Sequence, residues 1–454
     1  MPNLQQPLPA GGHEREELAL IEIAHTTVSP NTVRLLLTFF LITIAVVPFA
    51  EVARLRLDAS ARQATGGAEG IAVAWSHLSM VPENIRSYLA EAEDASLWDR
   101  IVSGNRIAMA GLSGFERALE NESLIGRSLR PPAQLVIAGW LGAGNERVYL
   151  GLEKWLFYSP DVDYVTGPGF LDHAQIRRRV RAAPEWTTPP QPDPRQAIAR
   201  FKADLEERGI TLIVMPTPLK PGIHPEMLTR RYADATGVLQ NMSYQRLVDD
   251  LRREGVLVFD PSEVLVAARR TGPQYLAIDT HWRPEAMELV AERLGSFVAS
   301  ASLPALPDPG YRIERLEVHN TGDVARMLDL PADSRLFPPE SVWLRRVLHA
   351  DGSPWRASRD ADVLLLGDSF SNIYSLESMG WGTSAGLAEQ LSYALRRPVD
   401  RLVQNDQGSF APRAMLQQDP QRLHGKRVVV YQFAARELAT GDWKSIPLPA
   451  PSPR

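Results

Sequence analysis

The chain has 454 residues, 44% hydrophobic and 23% charged, which fits a large folded domain with accessories and excludes a disordered or fibrous chain. A formal net charge of -5 with no concentrated basic stripe argues against a nucleic-acid partner. There is no cysteine, so thiolate metal sites, a cysteine nucleophile and disulfides are all excluded.

Residues 1–34 form a polar leader. The run LLLTFFLITIAVVPFA at 35–50 is uncharged and flanked by Arg34 and Glu51. With Val33 and Val52 it reaches the roughly 17–20 residues that a spanning helix needs. It is apolar on every side, unlike a helix buried along one face of a soluble domain. No small-x-small site follows closely, as a cleaved signal peptide requires. The run is therefore expected to be a single transmembrane anchor over 35–53. Arg15 and Arg34 stand against Glu14, Glu16, Glu17 and Glu22 on one side of it, and Arg54, Arg56 and Arg62 lie on the other. This charge balance does not favour a cytoplasmic N-terminus.

Residues 54–139 carry apolar positions at three-to-four spacing, interrupted by glycines, and predict a helical stalk or subdomain. From about residue 140 the pattern changes. Short β-prone runs appear at 210–215 (ITLIVM), 256–259 (VLVF), 362–367 (DVLLLG), 399–403 (VDRLV) and 427–433 (RVVVYQF). Amphipathic helical segments at 195–209, 242–255, 284–300 and 383–397 separate them. Continuous apolar strands between helices predict an α/β domain over 140–445 with a parallel sheet covered on both faces. Ligands of such sheets bind beyond the carboxyl ends of the strands. A proline-rich tail, 446–454, closes the chain.

One strand ends on Gly367, Asp368 and Ser369, at the place where ligands bind. Serine is a weak nucleophile without a base, and the base needs an orienting group. Of the nine histidines, His281 has a suitable neighbour, in IDTHWRPEA. On an extended segment residues two apart share a side, so the Asp279 carboxylate can accept from the His281 imidazole while its far nitrogen faces outward. Pro284 then begins a helix that fixes the segment. Each pattern alone serves equally as a turn: Asp279 or Thr280 as a cap before Pro284, and Asp368 and Ser369 as a cap after the strand.

GDSF followed by SNIY resembles the nucleophile block of SGNH-type esterases and acyltransferases. In this chain the Asp-x-His pair precedes the serine, and that order resembles the alginate O-acetyltransferase family of the AlgJ/AlgX type. Further blocks match in order: EKWLFY (153–158), VMPTPLKPGIHPE (214–226) and YQFAAREL (431–438), the last followed by GDW. One position departs, Gln432, where many members carry an acid. The resemblance implies an SGNH-hydrolase-like fold, with Ser369 as nucleophile, His281 as general base and Asp279 as its orienter. Asn405 and Gly408 in NDQGS are candidate oxyanion donors, by analogy with the asparagine and glycine blocks of SGNH enzymes, and that stretch serves equally as a simple turn. Lys220, Arg436 and Trp282 are candidate substrate contacts, although a single tryptophan is equally a core residue.

No HExxH, clustered ligand spacing or nucleotide-binding glycine loop appears, so neither a metal nor a cofactor is expected. The family implies an O-acetyltransferase acting on an exopolysaccharide, held at the inner membrane with its catalytic domain in the periplasm. It also implies an acetyl donor reached through a membrane-bound O-acyltransferase partner. Two other functions fit the same fold: a carbohydrate acetyl esterase with the same triad, and a non-catalytic polysaccharide-binding or assembly subunit.

Overall fold

Five apolar runs, spread over about half of the chain, meet in one parallel sheet. The computed structural model describes residues 31–41, 71–91, 96–122, 124–183, 188–301, 303–405 and 407–449. The chain divides into two compact units, 1–128 and 129–454. In the first unit, helices Ile71–Ser79, Val81–Glu91 and Leu97–Glu122 follow one another, and Trp75 packs on Phe115 with ring centroids 5.3 Å apart. Residues 31–41 are helical and exposed. The rest of the expected anchor, 42–53, lies outside the described residues. No helix among the described residues is long and apolar enough to cross a membrane.

In the second unit the strands are β1 (Val148–Leu150), β2 (Leu156–Tyr158), β3 (Thr211–Thr217), β4 (Leu257–Val258), β5 (Arg312–Asn320), β6 (Glu340–Leu348), β7 (Val363–Gly367), β8 (Asp400–Val403) and β9 (Val428–Ala434). The main sheet runs β4-β3-β9-β7-β8, and every neighbouring pair is parallel. All residues of β7 and β9 are buried. Helices cover both faces, so these strands need no polar side, and their sequences read as unbroken apolar runs. Pro194–Glu206 turns Ala197, Ile198, Phe201 and Leu205 inward behind an Asp193 cap. Tyr244–Arg253 buries Leu247, Val248 and Leu251. Pro284–Ala299 and Leu387–Leu395 present similar stripes.

Two features differ from the sequence expectation. First, β5 and β6 form a nine-residue antiparallel ribbon. Most of β5 is exposed and both strands are rich in Arg and Glu. Only parts of each face are buried, so neither a continuous apolar run nor clean alternation appears, and no short turn announces the pairing. Second, the start of the proline-rich tail belongs to the domain. Ile446 and Leu448 are buried, and the Leu448 N–H donates to Asp204 Oδ2 at 2.9 Å.

β9 lies between β3 and β7 in the sheet. The carboxyl ends of these three strands, at Thr217, Ala434 and Gly367, therefore come together on one rim, where β7 delivers Ser369.

Candidate active site

The turn after β7 is built for close approach. A Cβ on Gly367 would lie 2.3 Å from Ser371 Oγ and 2.9 Å from Gln432 Oε1, so only glycine fits. Asp368 then caps the short helix Ser369–Asn372, accepting from the Phe370 N–H at 2.9 Å. Its second oxygen accepts from the Ala434 N–H at 2.6 Å, tying the turn to β9. Ser369 is the first residue of that helix, where an amide N–H has no acceptor within the helix.

The facing segment is not an extended strand. Residues 276–281 form a loop closed by the Leu276 N–H donating to the His281 carbonyl at 3.1 Å. Asp279 makes the turn itself: its Oδ1 accepts from the His281 backbone N–H at 3.1 Å and from His281 Nδ1 at 2.6 Å. Nε2 of the same ring lies 2.8 Å from Ser369 Oγ. Asp279 Oδ2 accepts from Trp381 Nε1 at 2.9 Å and from the Asp323 N–H at 3.0 Å. Asp279 and His281 are buried, at 1% and 3% exposure.

Burial alone would push the Asp279 carboxyl upward. The hydrogen bond and charge of His281, with the N–H groups of Asp323 and Trp381, outweigh it and hold Asp279 well below the usual carboxylate range. For His281, burial lowers the pKa, but the Asp279 hydrogen bond and charge, with Asp323, raise it above the ordinary value. Burial, and then the Asp279 charge, push Asp323 upward. A ring whose Nδ1 proton is fixed on a carboxylate presents Nε2 as an acceptor, and here that nitrogen meets a serine hydroxyl.

Asp279, His281 and Asp323 also bring three ligand-type atoms within 4.8 Å of one another. The atoms are already committed: Nδ1 to Asp279, Asp279 Oδ2 to Trp381, and both Asp323 oxygens to Thr280 at 2.7 and 2.8 Å. The donor set suits proton transfer better than a cation.

The remaining candidate residues separate by exposure. Trp282 is fully buried; its Nε1 donates to the Phe370 carbonyl at 3.1 Å and its ring meets Phe370 edge-on at 5.5 Å. Lys220 is 1% exposed. Its ammonium donates to the carbonyls of Leu156 (2.6 Å) and Ala277 (3.2 Å), and burial lowers its pKa to about 8 against the pull of nearby acids. These two residues brace the 276–281 loop and the turn after β7 from behind. Arg436 keeps 16% of its side chain exposed while Nη1 donates to buried Asp161 at 2.9 Å. Its guanidinium lies 5.4 Å from the Tyr158 ring and 5.8 Å from Phe370, the neighbour of Ser369. Asn405 accepts at Oδ1 from Asn372 at 2.9 Å, and its Nδ2 donates to the sulfur of Met379 at 3.3 Å. Gly408 has a left-handed φ of 77°. The next N–H, from Ser409, is held by Glu437 at 3.0 Å.

Sequence reasoning missed four supports: Trp381, Asp323, Asp161 and Glu340. Glu340 accepts from the Ala277 N–H at 2.9 Å and pairs with Arg283 at 2.8 Å, anchoring the loop on both sides. Only Trp381 carried a local signal, since the glycines on either side of it, Gly380 and Gly382, both take positive φ. Trp381→Phe keeps the ring and removes one donor to an ionised carboxylate, a bond of about 1.5–3 kcal/mol. The expected result is a fall of about ten- to a hundredfold in kcat with little change in KM, read by steady-state kinetics.

The family described as SGNH hydrolase-like domain, acetyltransferase AlgX, matches residues 148–435. Among curated relatives, "Probable alginate O-acetylase AlgJ" of Pseudomonas syringae pv. tomato is 25% identical over 306 residues, covering 65% of this chain and 70% of that protein. The protein of the same name from Pseudomonas aeruginosa is 27% identical over 242 residues, covering 52% of this chain and 61% of its own length. A solved structure, "O-Acetyltransferase Domain of Pseudomonas putida AlgJ", aligns with a TM-score of 0.49 at 22% identity, over 64% of this chain and 92% of that one.

Proposed function

The chain belongs to the family of SGNH hydrolase-like acetyltransferase domains that includes AlgX, and from that premise we propose that it acetylates hydroxyl groups of an exopolysaccharide through an acetyl-Ser369 intermediate. The observation that carries this reading is the unbroken hydrogen-bonded line from Asp279 through His281 to Ser369 at the rim of the sheet.

In the first half-reaction Ser369 Oγ attacks the carbonyl carbon of an acetyl ester as its proton passes to His281 Nε2. The tetrahedral intermediate collapses, the donor oxygen leaves with that proton, and acetyl-Ser369 remains. In the second, a sugar hydroxyl gives its proton to Nε2 and attacks the acyl carbon; as the intermediate collapses that proton passes from Nε2 to Oγ, releasing Ser369 and the acetylated sugar. Asp279 stabilises the imidazolium in both halves. The developing oxyanion needs donors. The Ser369 N–H supplies one, and the Asn405 side-chain amide, which meets the weak sulfur acceptor of Met379, supplies a second. Gly408 serves this site by allowing the turn that returns the loop. Arg436, anchored by Asp161 with part of its side chain open, contacts the substrate.

The uncharged run at 35–50 anchors the chain in the inner membrane, with the catalytic unit in the periplasm and the acetyl group delivered through a membrane-bound O-acyltransferase partner. Alginate is the first acceptor to test, by the names of the curated relatives.

The test feeds the purified chain a chromogenic acetyl ester, with and without oligosaccharides that include alginate fragments. Ester cleavage and acetylated sugar are followed together. Sugar acetylation that depends on Ser369 is expected. Ester cleavage at the same rate whether or not sugar is present, with no acetylated product, would make the protein an esterase.

A further inference from the structure

Beside the triad lies a buried amide that the proposed chemistry never touches. Gln432, on β9, is 1% exposed and satisfied on both sides. Its Oε1 accepts from Ser371 Oγ at 2.7 Å and from the Asp368 N–H at 3.0 Å. Its Nε2 donates to Thr217 Oγ1 at 2.8 Å and to Asp368 Oδ1 at 2.9 Å. Three of its four partners belong to the turn that carries Ser369, and the fourth lies at the end of β3. The oxygen takes two donors and the nitrogen faces a carboxylate, so the amide has one workable orientation.

We infer that Gln432 is a positioning residue for the acyl transfer, an uncharged clamp that holds residues 368–371 in register with His281. Rigidity at this point matters because displacing a reacting atom by about 1 Å can cost roughly a hundredfold in rate. In this chain the amide and an acid are not equivalent. Thr217 and Ser371 are hydroxyls that can turn to donate, and the Asp368 N–H donates to either side chain. Asp368 Oδ1 is different: it needs a donor, and an ionised carboxylate at 432 offers a second negative charge at hydrogen-bond distance. Two carboxylates at such a separation do not both ionise readily; they share a proton, and one titrates far above its usual range. Among the described residues, Arg436, itself paired with Asp161, and Glu437 are charged groups that act on Asp368. Arg436 eases the repulsion and Glu437 adds to it.

The inference rests on the Ser369 reading, and Gln432→Glu and Gln432→Met test it separately from that reading. The quantity to follow is the ratio of variant to wild-type kcat/KM from pH 5.5 to 8, with the His281 limb fitted in each protein and divided out, since a charge at 432 also acts on that ring. For Gln432→Glu the ratio is expected to be about 10⁻² at pH 8 and to climb by roughly tenfold or more toward pH 5.5, as the shared proton returns. Gln432→Met, which lacks every hydrogen bond but fills the space, is expected to lose activity by a factor that does not vary with pH. A Glu ratio that stays flat across this range, or a Met variant as active as wild type, overturns the clamp.

Melting temperature supplies a readout that does not depend on which residue is the nucleophile. The pair has a raised pKa in the folded state, so its protonated, stabilising form is lost as pH rises. The deficit in Tm of Gln432→Glu relative to wild type is accordingly expected to widen from pH 5.5 to 8, and an unchanging deficit contradicts the clamp even if Ser369 proves not to be the nucleophile.

Discussion

Ser369→Ala is expected to lower acetyl transfer by about 10⁴-fold or more in kcat, while the protein keeps its fold and its affinity for acceptor sugar. The size follows from the role: without the hydroxyl no acyl-enzyme forms, and what remains is binding plus the oxyanion donors, which in serine hydrolases leave only a small residue of catalysis. The fold is expected to survive because the turn around Ser369 is held by other groups. Gly367 provides the close approach, Asp368 caps the helix and binds β9, and Gln432 binds Asp368 and Ser371. Among the described residues only one hydrogen bond, to His281, is lost, and that contact sits in a partly buried site next to the rim. Circular dichroism and a melting curve within a few degrees of wild type check this part of the expectation.

Asp279→Asn is expected to have the second-largest effect, about 10⁴-fold in kcat at neutral pH. Asparagine has one acceptor oxygen where the carboxylate has two, so it cannot accept from both His281 Nδ1–H and the Trp381 indole N–H, and the tautomer that leaves Nε2 free is no longer held. The variant also changes the pH profile in a fixed direction. In the wild type Asp279 raises the His281 pKa against burial, so the base becomes neutral, and the rate rises, only above the ordinary histidine value. Removing the carboxylate leaves burial as the main influence, so the acidic limb of kcat/KM moves to lower pH even as the plateau collapses. Stability obeys the same linkage. The depressed Asp279 carboxyl contributes stability above the unfolded value that is lost as pH falls, and the raised His281 contributes stability at low pH that is lost as pH rises through its folded pKa. Asp279→Asn removes both contributions, which titration of Tm against pH reads directly.

Much of this site is legible in one dimension because its parts are short and local. GDS follows an unbroken apolar strand, so both its place on the rim and its tight turn can be read from the residues. Asp279 and His281 are two apart, and their contact is encoded there, although it arises from a turn closed by Asp279 on the His281 N–H and not from an extended segment. The remainder depends on tertiary contact. Trp381, from a loop, and Asp323, from the start of a short helix, reach Asp279 from far along the chain, and Asp161 reaches Arg436 across nearly the whole domain. Glu340 starts β6, the second strand of a ribbon that shows little apolar patterning because most of β5 faces solvent. Lys220 and Trp282 look from sequence like residues that meet a substrate. Their polar atoms are spent instead on the carbonyls of Leu156, Ala277 and Phe370, contacts that no spacing rule reveals.

The measurement closest to the central claim is direct capture of the acyl-enzyme. The protein is mixed with an acetyl ester in the absence of acceptor, quenched in acid within the first turnovers, digested and analysed by mass spectrometry. The expected result is a single acetyl group on the peptide that carries Ser369, absent when His281 is replaced by alanine and discharged when acceptor oligosaccharide is added before the quench. Acetyl transfer to sugar that proceeds at full rate with no label on Ser369, or with the label on another side chain, would contradict the account.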